Sequence, residues 1–229
     1  MMKPIFTGLA LVLLLASCGS PKPPEPVATT PVTDDHPVMG PERRILALGD
    51  SLFAGYGLDR GQSYPARLEA TLRARGINAR IANAGVSGDT SQAGLQRLKF
   101  TLDSQAAPPE LVLISLGGND LLRGIPPAQT RANLDAILGE LDRRKVRTVL
   151  MGMLAPPNLG PTFRSEFDAI YPALAKQHHV ALVPFFLKPV IGRADLVQAD
   201  HIHPTREGIE DIVAATVNAV AKALPVKVR

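Results

Sequence analysis

Three short segments of this chain hold the residue types that acyl transfer needs. Gly49-Asp50-Ser51-Leu52 follows the apolar run Ile45-Leu46-Ala47-Leu48, so a buried strand is expected to end in a glycine turn that presents a serine. Asp200-His201-Ile202-His203-Pro204 sets a carboxylate three residues before an imidazole, and Gly117-Gly118-Asn119-Asp120 places a side-chain amide among glycines. A serine hydroxyl is a weak nucleophile until a base takes its proton. Neutral imidazole titrates near working pH, so it can take that proton and return it to the leaving group. A carboxylate that accepts a hydrogen bond from the other ring nitrogen fixes the tautomer. Ser51 is therefore the candidate nucleophile, His203 the candidate base and Asp200 its orienter. Acyl transfer also builds negative charge on the carbonyl oxygen, which calls for donors already in place. The Ser51 and Gly88 N–H groups and the Asn119 side-chain amide are the candidate oxyanion hole.

Each segment has a plainer explanation. Serine is a favoured helix N-cap, so Ser51 can be a cap and nothing more. Gly88 and Gly117-Gly118 can be turn glycines, with Asn119 bonded to its own loop. Asp200, His201 and His203 are all metal-ligand types within four residues. No companion cluster accompanies them, because His36 lies in a proline-rich stretch and His178-His179 ends a helix near the start of the last strand. No metal and no cofactor is expected. The chain lacks the Gly-x-Ser-x-Gly elbow of ordinary α/β-hydrolases and the Gly-x-x-x-x-Gly-Lys loop of nucleotide-binding proteins.

These residues need a scaffold, and the hydrophobic pattern supplies one. Short apolar runs at 44–48, 79–83, 111–116, 148–153 and 181–183 predict strands. Longer patterns at 64–75, 90–102, 127–144, 164–178 and 205–223 predict helices. In the last, Ile209, Ile212, Val213, Thr216, Val217 and Val220 form one helical stripe, with Thr205 as N-cap and Glu207 in the first turn. Strict alternation predicts an α/β fold with three α/β/α layers and a parallel five-stranded sheet covered on both faces. In the flavodoxin-like order 2-1-3-4-5, ligands bind beyond the carboxyl ends of the strands at the switch point. The loops after strands 1, 2 and 3 then meet in one crevice. They read Gly49-Asp50-Ser51, Gly85-Val86-Ser87-Gly88-Asp89 and Gly117-Gly118-Asn119-Asp120.

Taken in order, Ser51, Gly88, Asn119, Asp200 and His203 resemble the four blocks of the SGNH (GDSL) hydrolase superfamily. The similarity is closest to the bacterial thioesterase I/protease I/lysophospholipase and arylesterase group, and it runs from about Arg44 to the final helix. Ala54-Gly55-Tyr56, Leu122-Arg123-Gly124 and Ile202-His203-Pro204 extend the match. The resemblance implies an SGNH hydrolase fold and a metal-free serine esterase/thioesterase working through an acyl-enzyme. Its substrates would be aryl esters, lysophospholipids or acyl thioesters, and it implies the same roles for the five residues. One position departs: His201 stands where the group usually has glycine. Two other functions fit the same blocks. One is a carbohydrate O-deacetylase of the cell envelope, and the other a lipoprotein that keeps the fold as a non-catalytic interaction module.

The chain has 229 residues, 45% of them apolar, a formal charge of +4 and no lysine/arginine block. Such a chain can bury one sizeable core, and its charge gives no reason to expect a nucleic-acid partner. The one cysteine, Cys18, ends Leu15-Ala16-Ser17-Cys18 after the apolar stretch 5–15. That stretch falls short of the ~20 residues a membrane span needs, and it fits a signal-peptide core. Leu-Ala-Ser-Cys resembles a bacterial lipobox, so residues 1–17 are expected to be a lipoprotein signal peptide. Cys18 would then be lipidated, unless it is incidental to an ordinary signal peptide. Residues 18–42 carry seven prolines and few large apolar side chains, as an extended linker of ~3.1 Å per residue would. The expected whole is a monomeric hydrolase domain over 43–229, held by a lipid anchor in the bacterial cell envelope. Gly19 after the cysteine favours the outer membrane, facing the periplasm.

Overall fold

The protein is described by a computed structural model over residues 38 and 40–226. The expected signal peptide, Cys18 and nearly all of the linker lie outside the described residues. The strands are β1 (Arg43–Gly49), β2 (Ala79–Gly85), β3 (Leu111–Ser115), β4 (Arg147–Met151) and β5 (Ala181–Val183). All pair in parallel, in the order β2-β1-β3-β4-β5. The helices in chain order are α1 (Ser51–Ala54), α2 (Tyr64–Ala74), α3 (Ser91–Asp103), α4 (Gly118–Leu122), α5 (Pro127–Arg143), α6 (Pro161–Asp168), α7 (Ile170–Gln177) and α8 (Arg206–Ala223).

Every residue of β3 is buried, as are residues 45–49 of β1. This is why both read as continuous apolar runs, since a parallel strand has helices on both faces and no solvent side to mark. α2 and α8 pack together, while α3, α5, α6 and α7 make the second set of helix contacts. This is the division that right-handed crossovers impose on the strand order. The apolar stripe of α8 is buried from Ile209 through Val220, and Thr205 caps the helix by accepting from the Gly208 N–H.

Register fixes where the loops begin. Gly49 at the end of β1 stands opposite Gly85 of β2 and Ser115 of β3. Three loops therefore leave the sheet at one level and side by side. The turn after β1 is held from below by Phe53, which is fully buried and stacks on Tyr64 with ring centroids 5.3 Å apart. Phe186, beyond β5, packs edge-on against both rings.

The structure departs from the hydrophobic pattern in two places. The single helix expected over 164–178 is two, α6 and α7, separated at Ala169. Pro172 has no N–H to offer the Asp168 carbonyl four residues back, and its ring would clash there, so the first helix stops. The second departure is α1 and α4, which begin where plain turns were expected. Both are about one turn long, too short to show a helical period.

Candidate active site

α1 carries Ser51, and its N-terminus separates capping from chemistry. The N-cap is Asp50, whose Oδ1 accepts from the Leu52 N–H at 3.0 Å. Ser51 is the first helical residue, so its hydroxyl is free of the capping role. Two glycines let this helix sit close to the sheet. A Cβ on Gly85 would fall 2.3 Å from the Ala54 nitrogen, and one on Gly49 2.9 Å from the Ser115 carbonyl. Asn83 adds a bond from Nδ2 to the Phe53 carbonyl at 2.8 Å.

The loop before α8 delivers the imidazole. His203 Nε2 lies 2.7 Å from Ser51 Oγ, and His203 Nδ1 lies 2.6 Å from Asp200 Oδ2. Both ring nitrogens are thus engaged. Asp200 Oδ1 accepts from the backbone N–H groups of Ile202 and His203 at 2.9 and 3.0 Å. The His203 N–H, the His203 ring and the Ile202 N–H hold the Asp200 carboxyl down at about 2. Asp200 is therefore anionic at neutral pH, and its hydrogen bond assigns the proton of neutral His203 to Nδ1, leaving Nε2 as the acceptor from Ser51. The Tyr56 ring lies against His203 with centroids 4.4 Å apart.

His201 takes φ +60°, a left-handed conformation that favours glycine. Its N–H donates to the Gln198 carbonyl at 2.9 Å. The place where the sequence departs from its family resemblance is therefore one where the backbone makes a side chain costly. His201 is exposed and shows no bond to Ser51 or Asp200. Among the described residues, no group of three His, Cys, Asp or Glu side chains is arranged to hold a metal ion. His178 is at the other end of the sheet, with Nε2 and Nδ1 each 2.6 Å from Asp135 and Asp142 of α5.

The remaining two loops converge on the serine. Gly88 takes φ +86° in a turn closed by the Asp89 N–H donating to the Val86 carbonyl at 3.1 Å. Its carbonyl accepts from Arg123 at 2.8 Å. Asn119, in the first turn of α4, sends Nδ2 to the Asp89 carbonyl at 3.0 Å and faces Asp50 Oδ2 at 3.5 Å. Its amide thus bridges neighbouring loops rather than closing its own. One of its two N–H bonds is the long contact to Asp50, the easier one to give up to an oxyanion. Behind it, fully buried Asp120 accepts from the Ser91 N–H at 2.8 Å and from Thr130 at 3.0 Å, while Asn133 donates to Ser91 Oγ at 2.9 Å. Arg97 completes the frame by donating to Asp89 at 2.6 Å and to the Gly49 carbonyl at 2.9 Å.

Asp50 is the electrostatic outlier. It is 2% exposed, and burial pushes its carboxyl from 3.8 up to about 7 despite the Leu52 N–H, with Asp89 and Asp120 adding repulsion. Perturbed carboxyls of this kind gather at functional sites.

Residues 47–210 match the GDSL-like Lipase/Acylhydrolase family. The chain belongs to that family. It is 44% identical over 160 residues to Esterase TesA of Pseudomonas aeruginosa, covering 70% of this chain and 79% of that protein. It is 41% identical over 163 residues to Thioesterase 1/protease 1/lysophospholipase L1 of Escherichia coli, covering 71% and 76%. Among solved structures, AlinE4, an SGNH-hydrolase family esterase, is 65% identical with a TM-score of 0.70, over 82% of this chain and all of that one. The structure of TesA is 39% identical with a TM-score of 0.75, over 80% and 100%. The chain is a hydrolase with the α/β fold of the SGNH family.

Bonds join Ser51, His203 and Asp200 directly, Asn119 reaches both neighbouring loops through Asp50 and Asp89, and Gly88 lies in the Asp89 turn. Sequence reasoning gave no role to Asp50, Asp120, Arg97 or Gln198. Asp50 and Asp120 stood inside recognised motifs, but their burial has no local signature. Arg97 and Gln198 act across loops far apart in sequence.

Proposed function

We propose that this chain is a serine esterase that hydrolyses acyl esters, and by the same steps thioesters, through an acyl-enzyme on Ser51. The observation that carries the proposal is the unbroken line Ser51 Oγ, His203 ring, Asp200 carboxylate, with contacts of 2.7 and 2.6 Å. Ser51 Oγ attacks the acyl carbonyl while its proton passes to His203 Nε2. Asp200, anionic at neutral pH, stabilises the imidazolium through Nδ1–H. The oxyanion accepts from the Ser51 N–H at the start of α1, the Gly88 N–H and Asn119 Nδ2. Losing one such donor typically costs on the order of 10²–10³ in turnover. His203 then protonates the departing alcohol or thiol. In the second half it takes a proton from water, which attacks the acyl-enzyme, and returns that proton to Ser51 Oγ as the acid leaves.

Exposed apolar side chains on the loops at this end of the sheet favour an acyl substrate. Leu122 beyond β3 and Leu154 beyond β4 are 65% and 43% exposed, a placement that suits a hydrocarbon chain. The esterase, thioesterase and lysophospholipase names of the similar proteins support the same class. Ser51→Ala assayed on p-nitrophenyl acyl esters tests the assignment. Loss of nearly all activity with folding intact is expected, and near wild-type turnover contradicts it. The same assay across chain lengths addresses the deacetylase alternative, which requires acetyl to outrun longer acyl groups.

The enzyme is further proposed to be a monomeric lipoprotein of the outer membrane, facing the periplasm and anchored through Cys18. The Leu-Ala-Ser-Cys motif and the proline-rich stretch that follows support this. Cys18→Ser should release the protein from the membrane fraction, and unchanged retention contradicts it.

A further inference from the structure

Within the loop that carries the base, Asp200 and His203 are positioned by local bonds. What sets that loop against Ser51 is a different matter, because the two are 152 residues apart. The structure assigns this task to Gln198. Its backbone N–H donates to the His203 carbonyl at 2.7 Å, and its carbonyl accepts from the His201 N–H at 2.9 Å. Its side-chain Nε2 donates to the Pro204 carbonyl at 2.9 Å and to the Tyr56 carbonyl at 2.8 Å. Tyr56 in turn donates its N–H to the Ser51 carbonyl at 3.2 Å and lays its ring on His203.

These bonds close a ring: Ser51 to Tyr56, Tyr56 to Gln198, Gln198 to His203, and His203 back to Ser51 Oγ. Both hydrogens of one carboxamide are spent on two carbonyls, one from the nucleophile side and one from the base side. The fit leaves no slack on the first side. Gly57 takes φ +72°, and a Cβ there would fall 2.2 Å from Gln198 Oε1. We propose that Gln198 is a positioning residue that holds His203 in register with Ser51, acting through the Tyr56 backbone. The inference rests on the esterase reading of this site. It adds a residue that touches neither substrate nor reacting atoms.

Gln198→Met tests it, because the side chain keeps about the same length and loses both donated bonds. Misplacement of a catalytic group by ~1 Å costs on the order of 10²-fold, so kcat on a short soluble p-nitrophenyl ester should fall by ~10–100-fold. KM should stay within about threefold, because substrate contacts are untouched. The number of sites titrated by a serine-reactive phosphonate should remain one per chain, while the rate of that labelling falls with kcat. A Gln198→Met protein with kcat and labelling rate within about twofold of wild type overturns the inference. A loss of kcat only in proportion to lost titratable sites also overturns it, since that is damage to folding. Ser51→Ala measured beside it separates the two levels. Activity surviving in Ser51→Ala removes the esterase reading and the inference with it. An inactive Ser51→Ala beside a Gln198→Met of wild-type rate removes the inference alone.

Discussion

Asp50→Asn should flatten the pH dependence of stability. The carboxyl is 2% exposed, and burial raises it from 3.8 to about 7. A carboxyl whose folded pKa stands above its unfolded value favours the fold at low pH, and that advantage is lost as pH rises through the folded pKa. At about 1.4 kcal/mol per pH unit, the shift amounts to ~4 kcal/mol against the fold once both states are ionised. Most of this accrues above the unfolded value, so roughly 3 kcal/mol separates about pH 5 from about pH 9. Asparagine is as good an N-cap as aspartate and keeps an oxygen for the Leu52 N–H. Its amide, however, meets the Asn119 Nδ2 across 3.5 Å, and a donor facing a donor costs about 1 kcal/mol. Urea unfolding of both proteins across this range reads the difference directly, with Asp200 and His178 cancelling because both proteins contain them. The variant should be no more stable at the acid end and ahead by ~2–3 kcal/mol at the alkaline end. A difference that does not change with pH refutes the buried, late-ionising carboxyl.

Other consequences can be checked by similar means. Partial burial opposes charge on His178, but Asp135 and Asp142 outweigh it and raise its pKa above 6.5. Its contribution is therefore present below 6.5 and lost as pH rises through the raised value. His178→Ala should cost ~1 kcal/mol near pH 5.5 and less near pH 9 in urea unfolding, the carboxylates being partly screened by water. At His201, φ +60° is tolerable for histidine and poor for a β-branched residue. His201→Val should melt below His201→Gly by a few degrees, equivalent to about 1–2 kcal/mol; equal melting temperatures count against strain there. Gly85→Ala sets a Cβ 2.3 Å from the Ala54 nitrogen, a backbone contact that cannot swing aside. Scanning calorimetry should show a loss of roughly 1–3 kcal/mol, and turnover should fall because α1 carries Ser51.

Much of this architecture was legible because the sheet is parallel. Buried on both faces, β1 and β3 wrote themselves as Ile45-Leu46-Ala47-Leu48 and Leu111-Val112-Leu113-Ile114. Eighteen residues of α8 were enough to display a period. The strand order then brought the Ser51, Gly88 and Asn119 loops together before any side-chain contact was known. Four- and five-residue helices such as α1 and α4 carry no period to read. The break between α6 and α7 had a signal in Pro172, whose missing N–H outweighs a favourable apolar pattern. Burial of Asp50 had none, because the same aspartate at an exposed turn would look identical in sequence. Gln198 and Tyr56 lie 142 residues apart, and only tertiary structure makes them partners.

In the proposed mechanism Ser51 is the acyl acceptor. Labelling the protein with a fluorophosphonate and locating the adduct by peptide mass spectrometry tests it most directly. One adduct is expected, on the peptide containing Ser51, that disappears in Ser51→Ala and forms far more slowly in His203→Ala. An adduct on another serine, or none on an active preparation, would contradict it.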